Sequence, residues 1–415
     1  MFRTNVQSTT AKFASILCFV LAAMLTQPAQ AQTFTVLHEF TGEADGSYPD
    51  AGLTMDRAGN LYGTTYGDGY SNSSGSVFEL TRTNGVWTFA PIYTFTGGND
   101  GALPYAGVVI GPDGSLYGTT TAGGAYDNGT VFNLRPPPHF CSHVLCDWTE
   151  TVLYSFQGGS DGSQPYGSVA FDQAGNIYGT TFAGGGPGGG DGTVYRLAPS
   201  GSGWTESVIY AFSNSDGANP LSGVTLDNAG NLYGTTVDGG AYGDGAVYEL
   251  TYSAGSGWAE SFLHSFNRTL GAGECFPYDD LIFDPSGNLY GAAAGGEGAI
   301  FKLTPSAGSW TYSLLYGYGG SEEACGARGN LAMDGAGNIY GTTYCDGAYA
   351  QGSVFKLRVG SIVTYTTLYS FTGGSDGYWP NSNVVFDANG NLYGTTYAGG
   401  PYGDGGYGGV WELTP

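Results

Sequence analysis

The sequence predicts an all-β protein: a seven-bladed β-propeller with four antiparallel strands per blade, closed by the N-terminal strand completing the last blade. Three observations carry that expectation. A seven-residue core recurs seven times. Each copy is set among four short strand-like runs. The first and last runs of the chain are out of phase with the repeat, as ring closure requires.

The core is Gly-Asn-Leu-Tyr-Gly-Thr-Thr at 59–65, and it returns at 114–120, 175–181, 230–236, 287–293, 337–343 and 390–396. A fixed internal period of this length marks a repeat architecture. The core tyrosines (Tyr62, Tyr117, Tyr178, Tyr233, Tyr290, Tyr340 and Tyr393) lie 50 to 61 residues apart, so loops change length while the unit persists. In the third copy the four runs are 168–172, 176–181, 192–197 and 204–212, here strands A to D. Short apolar runs bounded by turn residues read as strands. Four-stranded units that cannot bury both faces alone assemble radially. The chain opens with a D-type run, 36–40, and finishes with a C-type run, 409–413. The N-terminal run can therefore supply the missing D strand of blade seven and remove an exposed edge.

Residues 1–31 read as a signal peptide, with Arg3 and Lys12, an apolar run over 13–25, and Ala29-Gln30-Ala31 as the cleavage site. This thirteen-residue run, interrupted only by Ser15, falls short of the ~20 apolar residues that span a bilayer, and no lipobox surrounds Cys18. The expected product is residues 32–415, a monomeric single-domain propeller without a membrane span or C-terminal sorting tail. Its destination is secretion, the periplasm or the cell surface. It would carry nine basic and 35 acidic residues, hence a formal charge of −26. That charge argues against nucleic acid, whose phosphates demand Lys and Arg clusters, and against anionic membrane surfaces.

The core, the glycine loop after it and the Gly-Thr-Val-Phe-x-Leu strand resemble the GloVer tandem repeat of exported bacterial choice-of-anchor proteins, over essentially all of 33–415. The Asp-x-x-Gly-Asn-Leu-Tyr segment is more loosely similar to NHL and gluconolactonase-type propellers. The first resemblance implies an exported propeller and brings no catalytic residues. The second implies a metal-dependent site in the central channel.

Asp56, Asp172, Asp227, Asp284, Asp334 and Asp387 each precede the repeat glycine by three residues, with Gly111 in the second copy. Aspartate there is expected to accept backbone N–H bonds in the A–B turn. Asp-Gly with a proline four residues after the Asp marks the D–A loops at Asp45, Asp100, Asp161, Asp216 and Asp376; copies five and six have Gly273 and Glu323 instead. The B–C loops on the same face carry Asp68, Asp127, Asp191, Asp238, Asp244, Asp346 and Asp404, oxygen donors that would suit calcium. That face is also rich in aromatics. Tyr48, Tyr105, Tyr166, Tyr278, Tyr378 and Trp379 are the candidate ligand contacts, because Tyr and Trp beside acids and amides can stack on sugars or anchor a protein partner. Trp87, Trp148, Trp204, Trp258 and Trp310 precede D strands and are expected to cap the outer edge. His38 and His264 stand where other copies have Tyr93, Tyr154 and Tyr210.

Of the five cysteines beyond the signal peptide, Cys141 and Cys146 are expected to form a local disulfide, the exported setting favouring this over zinc binding with His139 and His143. Pairing Asp334 with Asn338 would put Cys345 opposite Ala327, near Cys325. Cys325–Cys345 is therefore preferred, with Cys275–Cys325 as the alternative. No nucleophile elbow, zinc-protease motif or phosphate loop occurs. The reading is a non-enzymatic binding or scaffold protein whose D–A/B–C loop face takes a polysaccharide or a protein. The alternative is a hydrolase or lyase with a metal in the channel, which an acidic cluster pointing into that channel would favour.

Overall fold

The computed structural model describes residues 32–67, 74–137, 148–186, 189–269, 275–296, 298–319, 325–400 and 406–414. They form seven antiparallel four-stranded sheets. The protein is a seven-bladed β-propeller. The strand Thr33–Glu39 pairs with Gly409–Thr414, from Thr33 against Thr414 to Glu39 against Gly409, so the N-terminus is the outer strand of blade seven. Among the described residues the only helical element is the 3-10 turn Gly159–Asp161.

The repeat core explains itself in packing. The tyrosine-following glycine of strand B lies under an aromatic ring of strand C. A Cβ on Gly63 would meet the Phe78 ring at 2.4 Å, one on Gly118 would meet Phe132 at 2.6 Å, and one on Gly394 would meet Trp411 at 2.4 Å. The next residue, threonine, ties its blade to the following one. Thr64 donates to the Ala106 carbonyl, Thr119 to Gly167, Thr180 to Ser222, Thr235 to Asp279, Thr342 to Ser382, and Thr395 to Ala51, which closes the ring. Copy five has Ala292 in that place.

Seven apolar clusters fill the seven interfaces between blades, and the one joining Tyr393 and Val410 to Leu53, Leu61 and Phe78 bridges the two ends of the chain. The D-strand tryptophans belong to these interfaces rather than capping an outer edge. Trp148 meets Tyr62, Trp258 meets Tyr178, Trp310 meets Tyr233 and Trp87 meets Tyr393, each pair edge-on across a blade boundary.

The A–B turn aspartates do what turn chemistry requires. Asp56 accepts from the amides of Ala58 and Asn60 and from the Asn60 side chain. In copy two, Asp113 takes over, accepting from the Ser115 amide and the Tyr117 hydroxyl. The D–A loop aspartates hold the preceding D strand, as when Asp100 accepts from Tyr93 and Thr96. His38 keeps that contact, 3.3 Å from Asp45. His264, whose copy lacks the aspartate, stacks on Tyr312, and burial pushes it down to about 4.

Candidate functional site at the propeller axis

In six blades the A segment runs inward from the residue after the loop proline, and in blade six, which has no such proline, from Arg328. These segments, whose paired stretch begins a few residues later in most blades (Thr54–Met55 after Pro49), are counted as the A strands. Short bridges, such as Ala102 to Ala122, Cys275 to Gly295 and Tyr378 to Ala398, zip the D–A loops to the B–C loops. Both loop sets therefore share one face. Beneath it lies an axial cavity of about 380 Å³, lined by the first residues of all seven A strands.

Aligning the copies at the cavity shows where they diverge. The first A-strand residue is Asp50, Tyr105, Tyr166, Leu221, Tyr278, Arg328 and Asn381 in blades one to seven. The second is Ala, Gly or Ser everywhere except Asp279, and the third is Gly or Ser except for Asp280, Asn330 and Asn383. The acidic and amide groups thus concentrate in blades five, six, seven and one.

Asp280 reaches across the axis. Its carboxylate accepts from Ser168 Oγ at 2.8 Å, the Gly223 amide at 2.6 Å and Asn330 Nδ2 at 2.8 Å, while its own amide donates to Asn330 Oδ1. Asp279 Oδ1 accepts from the Gly329 amide at 2.9 Å. These bonds join blades five and six where the threonine stitch is lost. Asp279 Oδ2 is buried with no hydrogen-bond partner, as are Arg328 Nε, Asn381 Oδ1 and Asn383 Oδ1. Asp50 accepts from Asn381 Nδ2 at 2.7 Å.

Burial dominates the electrostatics. It raises Asp50 and Asp280 above the usual carboxylate range despite their hydrogen bonds. It pushes Asp279 up to about 7, with Asp280 adding to the effect and the Gly329 amide and Arg328 opposing it. Removing charged groups from water disfavours ionisation, so acids rise.

Blade six is built differently from the others. Its A strand, Ala327–Met333, carries a bulge between Arg328 and Ala332, with Gly329 at φ +83°. Ala327 consequently faces Thr343, two residues from the register expected at the turn, and Cys325 comes opposite Cys345. The two are disulfide-bonded with Cα atoms 4.6 Å apart. Cys275 lies outside this bridge and is buried. Residues Cys141, Cys146, His139 and His143 lie outside the described residues, as does the signal peptide.

Of the six aromatics expected to contact ligand, Tyr105, Tyr166 and Tyr278 line the cavity. Tyr105 sits edge-on between Tyr66 and Tyr166. The other three pack within the loops: Tyr48 on Tyr397, and Trp379 on Tyr344 and Tyr378. Asp50, Asp279, Asp280, Arg328, Asn330, Asn381 and Asn383 were not anticipated. Their signal was available, since each replaces a small or aromatic residue at one of the first three positions of an A strand.

Among the described residues no three His, Cys, Asp or Glu side chains group as a metal ion would require. Both oxygens of Asp280 already accept protein donors, and Arg328 stands beside the acids, so Asp280 is not free to hold a divalent cation. Of the B–C loop aspartates, Asp127 accepts from the Gly123 amide and Asp244 pairs with Arg268 at 2.6 Å; Asp68 and Asp404 lie outside the described residues.

The repeat described as the Gloeobacter/Verrucomicrobia repeat matches residues 24–151 and 143–332. The chain belongs to this repeat family. No curated protein matches it. Among solved structures, the repeat protein resembles PorZ of Porphyromonas gingivalis, described as an essential surface component of the type-IX secretion system. The TM-score is 0.52 and the identity 16%, over 87% of this chain and 46% of that one. It also resembles a Bacteroides uniformis protein assigned provisionally as a 6-phosphogluconolactonase (TM-score 0.46, 16% identity, 77% and 83% covered). A Dyadobacter fermentans protein of unknown function is similar at TM-score 0.48 and 10% identity, over 92% and 99%. At these identities the likeness is one of fold. Among the described residues no helix is long and apolar enough to cross a membrane.

Proposed function

We propose that this member of the repeat family is an exported binding protein that takes a saccharide at the loop-face end of its axial channel. The observation that carries the reading is the buried polar set without partners, Asp279 Oδ2, Arg328 Nε, Asn381 Oδ1 and Asn383 Oδ1, beside the rings of Tyr105, Tyr166 and Tyr278. Buried polar groups are normally satisfied, so such a cluster calls for a ligand that brings donors and acceptors. Sugars offer hydroxyls in many directions and an apolar face for rings. The cavity lies within the roughly 300–1,000 Å³ of small-molecule sites, and its concavity favours a sugar over a flat protein partner.

A glycan array, run with and without calcium and followed by calorimetry on the hits, tests this. Tyr105→Ala or Tyr278→Ala should weaken the bound glycan by about tenfold or more, as truncated contact aromatics do. Trp258→Ala, at an outer blade interface, should lower the melting temperature and leave affinity unchanged. Glycan binding indifferent to both channel tyrosines would move the site elsewhere.

A second reading draws on Asp279. A carboxyl still protonated near pH 7 is what a general acid for glycosidic cleavage needs, and three acids at the axis are the feature expected of a catalytic channel. Release of reducing ends from a bound glycan, lost in Asp279→Asn, would support metal-independent cleavage; intact glycan after prolonged incubation would rule against it.

A further inference from the structure

We infer that the saccharide carries a carboxylate, as a uronic acid does, and that Arg328 receives it. This deepens the sugar reading above and rests on it. Among the described residues the other guanidiniums near acids pair with them, Arg268 with Asp244 at 2.6 Å and Arg82 with Glu412 at 3.6 Å. Arg328 stands at the axis with no ion pair or side-chain hydrogen bond among the described residues, and its Nε is buried without a partner. Its guanidinium carbon lies over two rings, 5.1 Å from the centre of Tyr278 and 4.6 Å from that of Tyr344. A guanidinium packed over rings and not engaged by any carboxylate keeps its N–H groups for a planar oxyanion, which it can bind through two parallel N–H bonds.

The backbone holds this cation in place. Arg328 opens the bulge of blade six, three residues after the Cys325–Cys345 bridge, and the neighbouring Gly329 amide is fixed on Asp279. Asp50 and Asp279 lie close enough for Arg328 to act on them electrostatically. Neither carboxylate forms an ion pair or hydrogen bond with the Arg328 guanidinium: Asp50 accepts from Asn381 and Asp279 from the Gly329 amide. A neutral sugar would leave the guanidinium edge without a counter-charge in a partly dry site, which is costly.

The test is calorimetry of the protein lacking residues 1–31. The ligands are uronate trisaccharides of the galacto, gluco and manno series, each beside its methyl ester, and a neutral trisaccharide bearing a sulfate ester. At least one uronate should bind about tenfold or more tightly than its ester, the scale of a charge-assisted contact. Arg328→Gln should erase that ratio while ester binding persists, which also shows the variant is folded; Arg328→Lys should retain part of it. Equal affinity for acid and ester, both weakened by Tyr105→Ala, would overturn the carboxylate and leave the sugar site standing. Binding of the sulfated sugar without any uronate would likewise overturn it. No binding of any of these, or of any array glycan, would remove both readings.

Discussion

An aspartate in this protein takes its chemistry from where in the repeat it falls. At the A–B turn, burial raises Asp172, Asp284, Asp334 and Asp387, but hydrogen bonds from the asparagine four residues on and from nearby amides outweigh it and hold them low. Four hydrogen bonds to each of Asp172, Asp284 and Asp334, and five to Asp387, thus favour the ionised form. At the channel Asp279 accepts only the Gly329 amide, and burial prevails. The two sets make opposite contributions to stability. The turn aspartates stabilise the fold above their unfolded pKa and lose that contribution as acid protonates them. Asp279, raised to about 7, stabilises the fold most fully below its unfolded pKa, and that contribution disappears as pH rises through 7. Asp279→Asn should therefore flatten the fall in melting temperature between pH 5 and pH 8. At pH 8 the variant should be the more stable by about 1 kcal/mol or more. Glu150, Glu206 and Glu260, also pushed to about 7 by burial and by Asp100, Asp161 and Asp216 respectively, will keep part of the slope. Identical pH–stability curves for the two proteins would show that Asp279 ionises normally in the fold.

Single blades are held by rings lying over glycines. Gly118→Ala would place a methyl 2.6 Å from the Phe132 ring, an overpacking that should cost about 1–3 kcal/mol. Phe132→Leu should cost stability alone yet offset part of the glycine substitution, so the double variant should be less destabilised than the sum. Strict additivity in chemical denaturation would mean the ring is not what excludes the methyl. The cysteine pair shows how far one blade could be read from sequence. The turn register brought Cys345 near Cys325 on paper, but the bulge at Gly329 was invisible there, because nothing in the spacing marks an extra loop of strand. That bulge moves the register by two and brings the cysteines opposite one another. Removing the bridge by Cys345→Ser should cost about 2–4 kcal/mol, and if sugar binds in the channel its affinity should fall too, since Arg328 would lose its anchor. Unchanged thermal unfolding would show that the bulge holds itself.

At the scale of the whole molecule, the ring depends on its two ends. Phe40 is fully buried, and its amide donates to the Gly408 carbonyl at 3.0 Å. Deleting residues 32–40 should uncover the edge of Gly409–Thr414 and produce aggregation or a collapse in melting temperature, read by light scattering and calorimetry. A truncated protein that melts as the longer one does would be incompatible with closure by this strand. The fold was legible because seven copies repeat the same local solution, and the phase of the terminal strands stated the closure. The channel was far less legible. Its groups sit at copy-specific exceptions, such as Asp279 among small residues and Arg328 among tyrosines, and an exception shows no period. Those exceptions have a consequence for recognition. A regular seven-membered ring would present an axial guest with seven indistinguishable rotational settings, and the guest would be bound without being oriented. Among the described residues the axial acids, amides and cation are confined to four consecutive blades, which gives the channel a direction, so that a molecule binding there as proposed would have one way round.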